Sequence, residues 1–171
     1  MACKKIIEEK LAIPQKVSMS VASGVLNVSG PKGKCTKSLK LKSVKISSDA
    51  KEVTVSGPLR EVNTVLSHIK NMFVGVQSGF SQKMKVIHAH FPMSIQVSAK
   101  EISIKNFTGE KKPRFAKIIG DTKVELKGAD ITVSGPNKDD VGQTIANLRT
   151  ASKIKKLDSR VFQDGIYPVL E

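Results

Sequence analysis

Tryptophan is missing from this chain, tyrosine occurs once, and aromatics make up only 4% of its 171 residues. An interior without large rings has to be assembled from Val, Ile and Leu, which suit strands. Cysteine is equally scarce: Cys3 and Cys35 make no disulfide framework, and neither has a metal-ligand partner at short spacing. That pattern reads as cytosolic and reduced. The opening Met1 to Glu9, with Lys4 and Lys5 beside Ile6 and Ile7, lacks the apolar core of a signal peptide. No apolar run approaches about 18 residues. No strongly amphipathic basic helix stands out either, so a membrane is not the expected partner.

Acidic residues are also short. Against 29 Lys and Arg there are 15 Asp and Glu, a formal charge of +14. The excess is not a tail: residues 1–82 carry +8 and residues 83–171 carry +6. A basic field spread over both halves favours nucleic acid as partner.

Catalytic signatures are absent as well. Gly33-Lys34 suggests a phosphate loop, but that motif needs glycine five places before the Gly-Lys pair and Ser or Thr after it. Val28 and Cys35 stand there instead. No serine sits in a nucleophile elbow, and neither cysteine has a recognisable base nearby. His88 and His90 share one face of a candidate strand, yet no Cys, Asp or Glu lies close in sequence to complete a metal site. Neither an enzyme nor a cofactor or metal site is expected.

What is present is a repeat. Val53-Thr54-Val55-Ser56-Gly57-Pro58 recurs as Ile131-Thr132-Val133-Ser134-Gly135-Pro136, each copy 39 residues after a proline (Pro14 and Pro92), so an offset of 78 relates them. Each copy reads as a strand, a sharp turn and a helix. The expected fold is therefore α+β: two tandem duplicated domains, residues 1–81 and 82–171, each an antiparallel sheet packed on one main helix. Domains of this size bury only a small core, so they are expected to lean on each other or on a partner.

Along the chain, residues 1–13 read as an arm with apolar Ile6, Ile7, Leu11 and Ile13, and Pro14 ends any helix begun there. Val17, Met19 and Val21, the turn at Ser23-Gly24 and Val25 to Val28 predict a hairpin. From Lys32 to Lys45 come six lysines (Lys32, Lys34, Lys37, Lys40, Lys42, Lys45) and no acid. Leu39, Leu41, Val44 and Ile46 still alternate there, which predicts basic strands with a register break. Val62, Val65, Leu66, Ile69 and Phe73 form one helical face, with Gly75 as its stop and residues 76–82 as linker.

Met84 to Phe91 predicts the next strand, and Ile95, Val97, Ile102 and Ile104 a second hairpin. It leads into a loop, Asn106 to Arg114, that gathers Lys111, Lys112 and Arg114 around Pro113. The second helix is expected from about Pro136 to Thr150, with Val141, Ile145 and Leu148 buried and Gly142 and Ala146 allowing close approach to the sheet. Asp139 and Asp140 complement its positive end. The last stretch, with Arg149, Lys153, Lys155, Lys156 and Arg160, is expected as an extended tail stabilised from outside its own domain.

With these motifs placed, the chain resembles the L-six family of universal large-subunit ribosomal proteins, in its archaeal and eukaryotic L-nine-type branch. The likeness covers nearly the whole length. It is carried by Ser67 to Val76, Gly79-Phe80, Met84 with Ala89 to Pro92, Asn106 to Lys112, Gly135 to Lys138 with Val141 to Gln143, and the closing Phe162 to Tyr167. The resemblance implies two related α+β domains and binding to ribosomal RNA near the sarcin-ricin loop and the stalk base, where translational GTPases dock. It implies a second domain that is the main RNA-facing part. That assigns RNA contact to Lys111, Lys112, Arg114, Lys153, Lys155, Lys156, Arg160 and Tyr167, and leaves the six lysines from Lys32 to Lys45 as a secondary basic surface. The segment Lys45 to Val55 is short and lacks the tryptophan-containing basic stretch of longer eukaryotic members, so contacts made by that stretch are not carried over.

The expected function is a structural, RNA-binding constituent of the cytoplasmic large ribosomal subunit, with neighbouring ribosomal proteins as further partners and no small-molecule substrate. The alternative from the composition alone is a basic, non-ribosomal protein-interaction adaptor.

Overall fold

The computed structural model describes residues 6–22, 24–39, 44–48, 52–155, 157–158 and 160–169. Cys3, Lys4, Lys5, Ser23, Lys40, Leu41, Lys42 and Lys156, all named above, lie outside the described residues. The chain divides into two compact units, Met1–Gly79 and Phe80–Glu171.

In the first unit, β1 (Ile6–Ala12), β2 (Ser18–Ala22), β3 (Val25–Gly30), β4 (Gly33–Ser38), β5 (Lys45–Ser48) and β6 (Glu52–Pro58) precede one helix, α1 (Leu59–Gln77). They form two three-stranded antiparallel sheets, ordered β1-β6-β5 and β2-β3-β4. α1 packs on strands of both sheets. Its predicted face is buried throughout, joined by Met72, Gly75 and Val76. The expected N-terminal arm is thus a strand: β1 pairs along the whole of β6, from Ile7 with Gly57 to Ala12 with Glu52.

The second unit contains β7 (Phe80–Ile87), β8 (Ser94–Val97), β9 (Glu101–Lys105), a 3-10 turn at Phe107–Gly109, β10 (Arg114–Lys117), β11 (Lys123–Lys127), β12 (Asp130–Gly135), α2 (Lys138–Ala151) and β13 (Gly165–Pro168). Its antiparallel sheets run β11-β12-β7-β13 and β10-β9-β8. Apart from β13, the strand order repeats that of the first unit. The register repeats too: Lys45 pairs with Ser56 and Lys123 with Ser134, both partners displaced by 78. The displacement is not the same on every strand. Ala12 faces Glu52 while Lys85 faces Asp130, a displacement of 73 from β1 to β7 against 78 from β6 to β12.

Several expectations are corrected by local chemistry. α1 does not stop at Gly75, which is buried inside it; it ends at Gln77, and Gly79 at φ +78 takes the left-handed conformation that terminates a helix. The supposed linker is therefore the last turn of α1, the junction Ser78-Gly79 and the start of β7. α2 starts at Lys138 because Asn137 caps it, its side-chain oxygen accepting the Asp139 N–H at 3.1 Å. Gly142 and Ala146 are exposed, and nothing lies within 4 Å of where a Gly142 Cβ would stand. The face that meets the sheet is Val141, Thr144, Ile145 and Leu148. Thr144 is tolerated there because its hydroxyl donates to Asp140 O at 2.8 Å and accepts from Ile119 N–H at 3.2 Å. β7 ends at Ile87, so His88 and His90 are outside it.

The tail is bound to its own unit. β13 adds to the edge of its own sheet against β7, and an edge strand tolerates Pro168, which lacks an N–H. Asp164, buried just before it, accepts the backbone N–H groups of Ala89 and His90 and lies 3.4 Å from His90 Nδ1. Ser152, at the end of α2, accepts Ile166 N–H at 3.2 Å. These contacts tie Ser152 and the stretch from Asp164 to Pro168 onto the second core.

Candidate nucleic-acid interface

The loop between β9 and β10 begins with two non-glycine residues in the left-handed region, Asn106 (φ 58) and Thr108 (φ 48), followed by Gly109 (φ 78). Asn106 tolerates this conformation better than most residues, and its amide donates to Pro92 O at 3.0 Å. The sharp turn drives Phe107 into the core, where it is 1% exposed. Arg114, at the start of β10, lies over that ring at 4.3 Å from its centroid.

The guanidinium of Arg114 is occupied on most sides. Nε and Nη2 donate to the two carboxylate oxygens of Glu110 at 2.8 and 2.5 Å, and Nη1 donates to Ala151 O at 2.9 Å and Lys153 O at 2.8 Å. One side chain thereby joins the loop to the end of α2 and the start of the tail. The hydrogen bonds from Arg114 hold the Glu110 carboxyl below its usual carboxylate value; burial opposes this, and the charges of Arg114 and Lys155 add to the lowering. Glu110 cancels the Arg114 charge locally, so the loop's outward cations are Lys111 and Lys112, both exposed.

Lys153 and Lys155 are exposed on the segment that Arg114 holds. These four lysines therefore belong to one tied edge of the second unit. Tyr167, on β13, is half-exposed, and its ring lies over Gly165, where an added Cβ would meet it at 3.1 Å. Tyr167 lines a shallow groove of about 520 Å³ with Arg149, Lys153, Leu157 and Phe162. Arg149 was not singled out as a site residue, although its place one turn before Lys153 was the available signal. Arg160 is exposed and outside the groove lining; its backbone N–H is bonded to Asp158 Oδ1 at 2.9 Å.

The described lysines of the first unit are spread over different faces. Strand alternation puts Lys34 and Lys37 on opposite faces of β4. Lys34 is exposed beside Ser18, Ser20, Asn27, Ser29 and Thr36, whereas Lys37 is half-buried with Nζ 3.0 Å from His68 Nδ1 on α1. Lys32 sits at the β3-β4 turn, where its N–H is bonded to Val76 O at 3.0 Å, and Lys45 is exposed on the other sheet. Among the described residues no three His, Cys, Asp or Glu side chains are grouped closely enough to hold a metal, and no helix is long and apolar enough to cross a membrane.

Comparison with known proteins adds a family. Residues 91–165 match the family described as Ribosomal protein L6. Over nearly its full length the chain is similar to curated proteins named large ribosomal subunit protein uL6: 46% identical to that of Methanosarcina mazei (96% of this chain, 97% of the relative), 45% to that of Methanosphaera stadtmanae (95% and 92%), and 38% to that of Saccharolobus solfataricus (95% and 93%).

Proposed function

Because the chain belongs to the family of the large ribosomal subunit protein uL6, we propose that it grips ribosomal RNA near the sarcin-ricin loop and the stalk base through the tied lysine edge of its second unit. Its place is the large subunit of the cytoplasmic ribosome, where it is a structural constituent with ribosomal RNA and neighbouring proteins as partners, not an enzyme. Family membership sets aside the adaptor reading.

The observation that carries the site is the Arg114 clamp, which presents Lys111 and Lys112 beside Lys153 and Lys155 on one support. Phosphate contacts made by lysines on a preformed scaffold position a protein without reading sequence, and double-stranded RNA is recognised largely by shape. Arg160 and Tyr167 extend the surface, with Arg149 in the groove between. In this arrangement Arg114 is a positioning residue. Its fork is already filled by Glu110 and two carbonyls, so little of it is left for phosphate. The RNA site lies where translational GTPases dock, and holding that RNA in shape is the contribution of the protein to factor binding.

Hydroxyl-radical footprinting of large subunits lacking and then rebound to the protein tests this. Protection at the sarcin-ricin loop and stalk base that disappears in the K111A/K112A variant is expected; protection confined to other helices would refute the location.

A further inference from the structure

Resting on the RNA-binding reading, we propose that Phe115 is a stacking platform for one unpaired nucleobase, on the outer face of the sheet formed by β8, β9 and β10. Phe115 is the most exposed aromatic of the described residues, at 60%. It stands at the end of a row that crosses three strands: Gln96 faces Ser103, and Ser103 faces Phe115. The residues before and after Phe115 point the other way, Arg114 over Phe107 and Ala116 into the core.

The duplication shows that the fold does not need a ring there. In the first unit Leu26 and Val28 fill the buried positions that Ile102 and Ile104 fill in the second, each pair at most 1% exposed. The matching outer row is Ser20, Asn27 and Thr36. A row of small polar residues therefore completes the same sheet, and Phe115 replaces a threonine where it buries little against its own chain. An exposed ring left over by packing is available for a partner.

The surroundings favour a nucleotide over an apolar peptide. Lys105 and Lys117 flank the ring on the same outer face, with Glu101 opposite Lys117 as the acid among these residues. Ser103 offers a hydroxyl and Gln96 an amide at strand spacings of about 4.8 Å each, so the row spans about 10 Å, the reach of one base with its ribose and phosphate. Aromatic rings on open sheets bind unstacked bases through their π-faces, and neighbouring cations take the flanking phosphates. β10 follows directly from the Lys111-Lys112 loop, which makes this face continuous with the proposed lysine edge.

The test uses the full chain with intact large-subunit RNA and with a short single-stranded RNA carrying a central 2-aminopurine. F115A and F115L should each weaken binding on the order of tenfold, F115W should retain it, and the salt dependence should stay that of the parent. Emission of 2-aminopurine should change on binding to the parent and F115W and stay unchanged with F115A and F115L. Circular dichroism melts confirm that all variants are folded. Parent-like affinity for F115L, or no fluorescence change with the parent, would overturn stacking. So would a loss on F115A seen with whole subunits and absent with naked RNA, since that result assigns the ring to a protein neighbour. The lysine-edge reading fails separately: K111A/K112A would then leave the salt dependence unchanged.

Discussion

Replacing Arg114 by alanine should cost the second unit about 3 kcal/mol while leaving the phosphate-contacting charge nearly intact. The hydrogen bond to Ala151 O is partly buried, and a charged donor there contributes about 1.5 kcal/mol, at the low end of its class. The bond to Lys153 O is exposed and contributes about half as much. The Glu110 pair is separated by four residues, and Glu110 is 43% exposed, which limits it to about 0.5 kcal/mol. Stacking over Phe107 adds about 0.5 kcal/mol. For a unit of this size, 3 kcal/mol corresponds to a drop of about 12–24 °C in its melting temperature. Arg114→Lys should recover less than half, because an ammonium cannot serve Glu110 and both carbonyls with a planar fork. Thermal unfolding by circular dichroism and hydrogen exchange at residues 151–155 measure this. An Arg114→Ala variant that melts with the parent and exchanges no faster there would refute the clamp.

Further outcomes follow from single contacts. Gly30→Ala should destabilise the first unit by about 1–3 kcal/mol, because the added methyl would collide with Val76 Cγ1; denaturant melts check it. Asp164→Ala should cost about 2–3 kcal/mol by stranding the Ala89 and His90 N–H groups, and Asp164→Asn should cost less, since an amide oxygen still accepts from both. The Glu110 carboxyl is held below its ordinary value by Arg114. Its pairing with Arg114 therefore contributes fully above the unfolded value and is lost as pH falls through the lower folded one. Hydrogen exchange of the 107–114 loop should accelerate as pH drops below about 4.5 after correction for the intrinsic rate, and Glu110→Gln should abolish that acceleration.

The duplicated architecture was legible because strand alternation and the helical stripe of α1 are local signals, and because the echo from Val53 to Ile131 preserved register across 78 residues. What stayed hidden depends on partners distant in sequence. Nothing around Gly165 announces that Gly165–Pro168 will extend a sheet through Ile87 and Met84, so the tail read as extended and external. Arg114 looked like a third loop cation; only folding brings Ala151 O and Lys153 O to its Nη1. Thr144 broke the apolar stripe of α2, and its fit requires the Ile119 N–H from a neighbouring loop. Composition also could not show that alternation along β4 sends Lys34 and Lys37 to opposite faces.

The central claim, that the second unit grips RNA through its tied lysines, is tested most directly by titrating large-subunit RNA across a salt series. K111A/K112A should flatten the logarithmic salt slope by about 1.4–1.8, at about 0.7–0.9 per phosphate contact, with its melting temperature unchanged. K32A/K34A/K45A, which removes more charge from the first unit, should leave the slope close to the parent's. A folded K111A/K112A protein with the parent slope, or a first-unit variant that loses more slope than it, would contradict the account.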